Sequence, residues 1–196
     1  RNKLKAGRPR VPDLTVPRCP LKGGARDQAA AEEIGPNPTD RGKPGSKRHV
    51  LVDRQGTPLA IWLTPANVHD GQLLTALVDA VEPIYRPRGQ AGRPRKRPNK
   101  LHADKAYSSR ANRRGLRERG ITPRIARPGI ESSERLGRYR WVVERTLAWL
   151  GRFRRLAIRY ERRADIHLAF LDLGCALLCF ATLQHVGCWQ ALSVGN

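Results

Sequence analysis

The chain has 196 residues, enough for one domain with a real core. It carries 38 Lys and Arg against 17 Asp and Glu, for a net charge of +21 and a sequence pI of about 11.3. Four Cys without a CxxC pair (Cys19, Cys175, Cys179 and Cys188) argue against a disulfide scaffold or a zinc site and for free buried thiols. The charge says little about fold and much about partners, of which a polyanion is the natural one. On charge alone a basic structural protein of the ribosomal type stands equal to a protein with an active site. The start Arg1-Asn2-Lys3 does not read as a signal peptide, so none is expected. The most apolar stretch, Leu168 to Leu183, contains Asp172 and reads as too short to span a bilayer, so no membrane partner is expected. Met is absent throughout, which reads as a fragment or a chain lacking its natural start.

Residues 1–47 are dominated by Pro, Gly and charge, as in Gly35-Pro36-Asn37-Pro38, and are expected to be loops with local turns. Lys47 to Asp53 and Pro58 to Thr64 read as strands joined by a hairpin turn at Arg54-Gln55-Gly56-Thr57. Asp70 starts a helix, as a cap, with Leu73, Leu74, Leu77, Val78 and Val81 on one face. Tyr85 to Asn99 is a linker of Arg, Pro and Gly that cannot bury apolar area. Leu101 to Asp104 is a short strand, followed by a helix near Ser108 to Arg119 that stops at Gly120. Ile121 to Ala126 is a further strand. Ser132 or Ser133 caps a helix to about Leu150, and a last apolar helix covers Asp165 to about His185. Hairpin strands, alternating helices and strands, then two helices describe an α/β layered domain.

One pentapeptide recurs: Ala6-Gly7-Arg8-Pro9-Arg10 returns as Ala91-Gly92-Arg93-Pro94-Arg95. Such slim, extended segments can place Arg93 and Arg95 in a DNA minor groove, although a solvated basic linker is the plainer reading. Two isolated acids carry more weight. Asp104 ends a strand, where sites of open α/β sheets collect, and would otherwise serve as a helix cap. Glu144 lies mid-helix with Trp141, Leu147 and Ala148 around it, at the edge of the apolar face toward the sheet; a salt bridge to Arg140 is the plainer alternative. A carboxylate in such surroundings loses solvation and is rarely kept without a partner such as a metal.

The stretch Leu101 to Tyr107, with its Asp-x-Ala-Tyr core, resembles the second acid motif of insertion-sequence transposases of the IS4/IS5 type. Arg140-x-x-x-Glu144 resembles their third. Gly35 to His49 is similar to their segment before the inner strands, Ala66-Asn67-Val68-His69-Asp70 to the one after. Arg124 to Arg127 and Leu150 to Arg163 match as well, so the likeness covers about residues 35 to 185.

The resemblance implies an RNase H-like mixed sheet flanked by helices, incomplete at the N-terminus, and an Asp-Asp-Glu triad holding Mg²⁺ or Mn²⁺. It divides the chain into a basic segment over 1–34, a catalytic domain over 35–186 and a tail over 187–196. Asp13 in Asp13-Leu14-Thr15-Val16-Pro17-Arg18 resembles the first-acid pattern Asp-x-Thr-x-x-Arg. The chain departs from the family at Pro12 and Pro17, at the basic lead-in Arg8 to Val11, and at Gly137, where a Tyr is usual. Asp53 is a rival acid better suited to a turn, and Asp40 to a loop. The implied partners are double-stranded DNA, at element ends and target, and a second copy of the chain in the DNA complex. The implied setting is the bacterial cytoplasm, at the nucleoid. Lys105, Arg140 and Arg145 join Arg93 and Arg95 as candidate DNA contacts. The usual N-terminal end-binding region is not seen, so a truncated, inactive DNA-binding remnant stays open as an alternative, beside the basic structural protein.

Overall fold

The computed structural model describes residues 13–15, 18–20, 33–85, 91–127 and 137–185, with backbone alone at 13–15, 18–20, 137–140 and 185. The residues form one mixed sheet with helices on both faces. Its longest pair is the hairpin of β4 (Pro44–Val52) and β5 (Pro58–Pro65), in which the apolar run Val50-Leu51-Val52 faces Ala60 and Ile61 across the ladder. Its turn forms as expected: Asp53 donates its N–H to the Thr57 carbonyl, and its carboxylate accepts from the N–H groups of Gln55 and Thr57. Gly56 sits at φ +87°, a conformation other residues rarely take. Asp53 is thus a turn residue.

On the other side of β4 lie β1 (Asp13–Thr15) and β2 (Arg18–Pro20), both antiparallel to it. The expectation of loops through residue 47 is corrected here. Asp13 pairs with Val52 and Pro20 with Gly45, so β1 and β2 follow one register along β4. A two-residue strand β3 (Gly35–Pro36) pairs with the start of β4. The segment misled because the buried stretch of β4 begins Ser46-Lys47-Arg48-His49, which reads as solvated surface.

β1 also pairs, in parallel, with β6 (Lys100–Ala103), and β6 in parallel with β7 (Thr122–Ile125). The order across the sheet is therefore β5-β4-β1-β6-β7. On one face, α1 (Leu74–Asp79) and α2 (Arg110–Glu118) bury Leu74, Leu77, Val78 and Leu116 with Leu51, Leu101 and Ala103. On the other, α3 (Gly137–Arg152), the short α4 (Arg154–Ala157) and α5 (Ala164–His185) pack Val142, Val143, Leu150, Leu156 and Leu171 onto Val50, Val52 and Leu63. The strand period of two sends Leu51 to the first layer and Val50 and Val52 to the second.

Several boundaries move. A 3-10 turn, Asp70–Gln72, precedes α1, and His69 rather than Asp70 caps it, accepting the Gly71 N–H on Nδ1. Asp70 instead meets the Lys47 ammonium at 2.7 Å, with the Lys47 side chain 5% exposed. Ser109 caps α2 through the Asn112 N–H. Ser132 and Ser133 lie outside the described residues, as does the repeat at 6–10. α5 begins at Ala164, and 164–184 is long and apolar enough to cross a membrane, which corrects the shorter span read from sequence. Within the fold, His167, Leu171 and Gly174 of α5 are buried against the second layer.

The hairpin tip locks onto α3. Thr146 Oγ1 donates to the Gly56 carbonyl at 2.8 Å, and a Cβ on Gly56 would lie 2.8 Å from Thr146 Oγ1. Gly56→Ala combines left-handed strain with that clash and is expected to destabilise the fold by about 1–3 kcal/mol. A lowered urea midpoint checks it; an unchanged midpoint would separate the turn from α3.

Candidate active site

The parallel register of β1 and β6 sets the geometry. Asp13 pairs with His102 and Leu14 with Ala103, and Leu14 also pairs with Leu51. Leu51, Leu101 and Ala103 belong to the α1/α2 layer. By alternation, positions 13 and 102 belong to the opposite layer with Val52, beneath α3. Asp104 continues β6 with extended backbone (φ −69°, ψ 163°) and falls on that same side. It stands one strand over and two residues along from position 13, a separation of about 8 Å between Cα atoms from standard strand spacings. α3, which carries Glu144, packs across β1, and the two residues after Glu144 meet the β4–β5 turn.

Asp104 is half-buried, and its Oδ1 accepts the Lys105 N–H at 2.8 Å, capping the 3-10 turn Lys105–Tyr107. The helix α2 has its own cap at Ser109, so Asp104 is not spent there. Glu144 is exposed, whereas the reading from sequence turned it toward the sheet. The reason is helical phase: Val142, Val143, Thr146 and Leu150 take the buried arc, leaving Trp141, Glu144 and Ala148 outside.

α3 is held firmly below Glu144. The Arg145 guanidinium lies 4.6 Å from the Trp141 ring centroid and 4.7 Å from that of Trp149, and donates to the Gln55 carbonyl. Arg145 thus ties the helix to the β4–β5 turn. Lys105 is half-buried beside Asp104; Arg93 and Arg95 are exposed in the loop, where Arg95 pairs backbone groups with Ile84. The side chains of Asp13 and Arg140 lie outside the described residues. Among the described residues, no three His, Cys, Asp or Glu side chains cluster as a metal cage. The chemistry of the candidates nonetheless fits a hard divalent cation, because carboxylate oxygens are the donors such ions take.

Residues that sequence reasoning missed line the opposite face under β6. His49 is buried, with Nε2 2.8 Å from Thr64 Oγ1 and Nδ1 3.5 Å from the Tyr107 hydroxyl. Tyr107 follows Asp104 by three residues, so this contact fixes the turn that presents Asp104. Burial raises the Tyr107 pKa, with the Asp70 and Asp104 carboxylates adding to it. Burial likewise lowers that of His102, helped by Arg124 and Lys100. The available signal was Lys47-Arg48-His49 running straight into Val50-Leu51-Val52, a charged start to a strand too apolar to stop there.

The description "Transposase DDE domain" fits residues 15–179, a span that includes Asp104 and Glu144 and opens two residues past Asp13. The chain belongs to the DDE transposase family. Such enzymes cleave and transfer DNA strands and use divalent metal. The chain is 58% identical over 152 residues to a Burkholderia cepacia protein named for transposition of insertion sequence element IS402, covering 78% of this chain and 71% of that protein. It is 30% identical over 132 residues to the transposase for insertion sequence element IS1106 of Neisseria meningitidis serogroup B, covering 62% of this chain and 40% of that protein.

The buried network gives this transposase a pH signature. Burial lowers the His49 pKa to about 4; Asp70 opposes the shift and Lys47 adds to it. The unfolded chain takes up that proton near the ordinary value of about 6.5. Stability from neutral His49 is therefore complete above about 6.5 and drains as pH falls toward 4, by on the order of 3 kcal/mol. Urea midpoints across this window, for wild type and His49→Gln, are expected to converge toward pH 4; parallel curves would contradict it.

Proposed function

We propose that this chain performs metal-dependent strand cleavage and strand transfer at the ends of an insertion sequence, with Asp13, Asp104 and Glu144 as the metal-holding acids. The observation that carries the reading is the shared layer: positions 13 and 104 sit on adjacent strands under the helix that bears Glu144. The strand order β5-β4-β1-β6-β7, with β1 antiparallel to β4 and parallel to β6, supports an RNase H-like fold. The catalytic domain then spans 35–186 together with the strands contributed from 1–34, and 187–196 is a tail. The kinship with proteins named for insertion sequences supports element ends as substrate.

Both steps are in-line phosphoryl transfers that require charge stabilisation rather than a protein nucleophile. Water cuts the strand at the element end, and the freed 3′-hydroxyl attacks the target phosphodiester. Mg²⁺, or Mn²⁺, when bound would activate the attacking oxygen and stabilise the leaving one. The chain's own part is to hold its acids in place. The Lys105 N–H orients Asp104, and the Trp141–Arg145–Trp149 stack stiffens the helix of Glu144. Lys105, Arg140 and Arg145 near the acids, and Arg93 and Arg95 on the loop, supply positive charge for DNA phosphates. Two copies acting on paired ends in the cytoplasm complete the reading. A catalytically inactive DNA-binding remnant is the second reading, favoured by the family match opening past Asp13.

Asp104→Asn and Glu144→Gln are each expected to lower Mg²⁺-dependent cleavage of an end-bearing duplex by on the order of 100-fold or more, with binding retained. Wild-type rates in either variant would overturn the assignment, and an inactive wild type would select the remnant. Duplex affinity should fall steeply as salt rises from low to physiological strength, and a flat titration would remove the phosphate argument.

A further inference from the structure

The outer face of α5 carries a pattern that the core does not use. His167, Leu171 and Gly174 turn inward, while Ile166, Ala169, Leu173, Ala176, Phe180 and Leu183 are all exposed. Those six follow one another in steps of three and four, the a and d positions of a seven-residue repeat. A stripe of that period suits the seam of a helix pair, and Leu177, 46% exposed, flanks it. The large members keep about half of their surface exposed: Ile166 is 42% exposed, Leu173 55%, Phe180 44% and Leu183 53%. The seam runs for roughly 25 Å at the standard rise per residue.

Charge selects the occupant. Over Ala164–His185 the chain has Asp165 and Asp172 and no Lys or Arg, although its net charge is +21. Two such cationic chains repel over most approaches, and α5 is a face on which they need not. It is equally a poor face for DNA. The residue sizes select the arrangement. Laid antiparallel about a twofold axis, Ala169 meets the partner's Phe180, Leu173 meets the partner's Ala176, and Ile166 meets the partner's Leu183. Both alanines then oppose large side chains, the interdigitation a packed seam requires. In a parallel register, alanine would meet alanine and phenylalanine would meet phenylalanine.

We propose that α5 is the self-association surface of this chain: two copies pair their α5 helices antiparallel through Ile166, Ala169, Leu173, Ala176, Phe180 and Leu183. This deepens the reading in which two copies act on paired ends, and it names the surface that joins them.

The experiment is light scattering of the full chain after size exclusion, without DNA or metal, so the result does not depend on catalysis. Wild type is expected at twice the 22.0 kDa chain mass. Leu173→Glu is expected at the single mass with unchanged helical circular dichroism, because position 173 is exposed. Adding Ala176→Lys to Leu173→Glu is expected to return the double mass, since the antiparallel pairing brings the introduced acid and base together across the seam. Phe180→Glu provides an independent break should Leu173→Glu fold poorly. A monomeric wild type, a persistent dimer in both single variants, or no recovery in the double variant would overturn the proposal. So would stable binding of the wild type to neutral phosphatidylcholine vesicles, which would assign the face to lipid. Asp104→Asn should keep the double mass, so loss of cleavage and loss of pairing are read separately.

Discussion

The fold hangs on three residues. Asp13–Thr15 lie between the β4–β5 hairpin and the parallel pair β6–β7, bonded to one side antiparallel and to the other in parallel. Without them the sheet falls into two pieces. A strand this short makes few ladder bonds, each contributing about 1 kcal/mol net. Packing of the flanking layers must supply the remainder: Leu51 and Ala103, which pair beside β1, belong to the α1/α2 layer, and α3 covers the other face. The same strand holds the first candidate acid. Position and chemistry are therefore one constraint, since a shift of β1 by one residue would turn position 13 away from α3 and Asp104.

The second support is the clamp between hairpin and helix. Gly56 and Gln55 offer backbone carbonyls to Thr146 and Arg145, the two residues that follow Glu144. An exposed carboxylate on a free helix would wander. Here the helix is fixed at its middle, and two indoles hold the guanidinium between them. On the far face, Lys47–Asp70 and His49–Tyr107 set the 3-10 turns on either side of the α1 connection and just beyond β6. A buried ion pair adds little net stability, since its desolvation cost offsets its attraction, but breaking it leaves a bare buried charge. Such a pair fixes placement better than it adds strength.

Much of this was legible in the residues. The hairpin announced itself through two apolar runs about a Gly turn, α1 and α5 through their apolar residues, and α2 through its stop at Gly120. Asp104 was legible as an acid closing a short apolar strand. β1 and β2 were not, because Pro, Arg and Lys surround them and their order comes from pairing with β4, a contact of long sequence separation. The phase of α3 was partly legible. Trp141 and Leu147 suggested an apolar arc including Glu144, but Val142, Val143 and Thr146 won the interior, and the large indole went outside to stack on Arg145. Tertiary context, rather than residue size, decided which arc was buried.

Charge is distributed unevenly over the two ends of the second layer. The run from Arg152 to Arg163 holds six arginines, and two of them are structural: buried Arg159 bridges Ser46, Glu33, Glu161 and Arg162, and Arg155 pairs with Glu161 and lies over Phe170. Arg48 reaches the Leu156 carbonyl from β4, so α4 is held by cations from both directions. α5 then begins, and no Lys or Arg occurs from Ala164 to Asn196. A polyanion can run along the arginine-rich connection and not along the helix after it. Partition of this kind lets one layer bind phosphate at one end and present apolar surface at the other without either ligand competing for the same face.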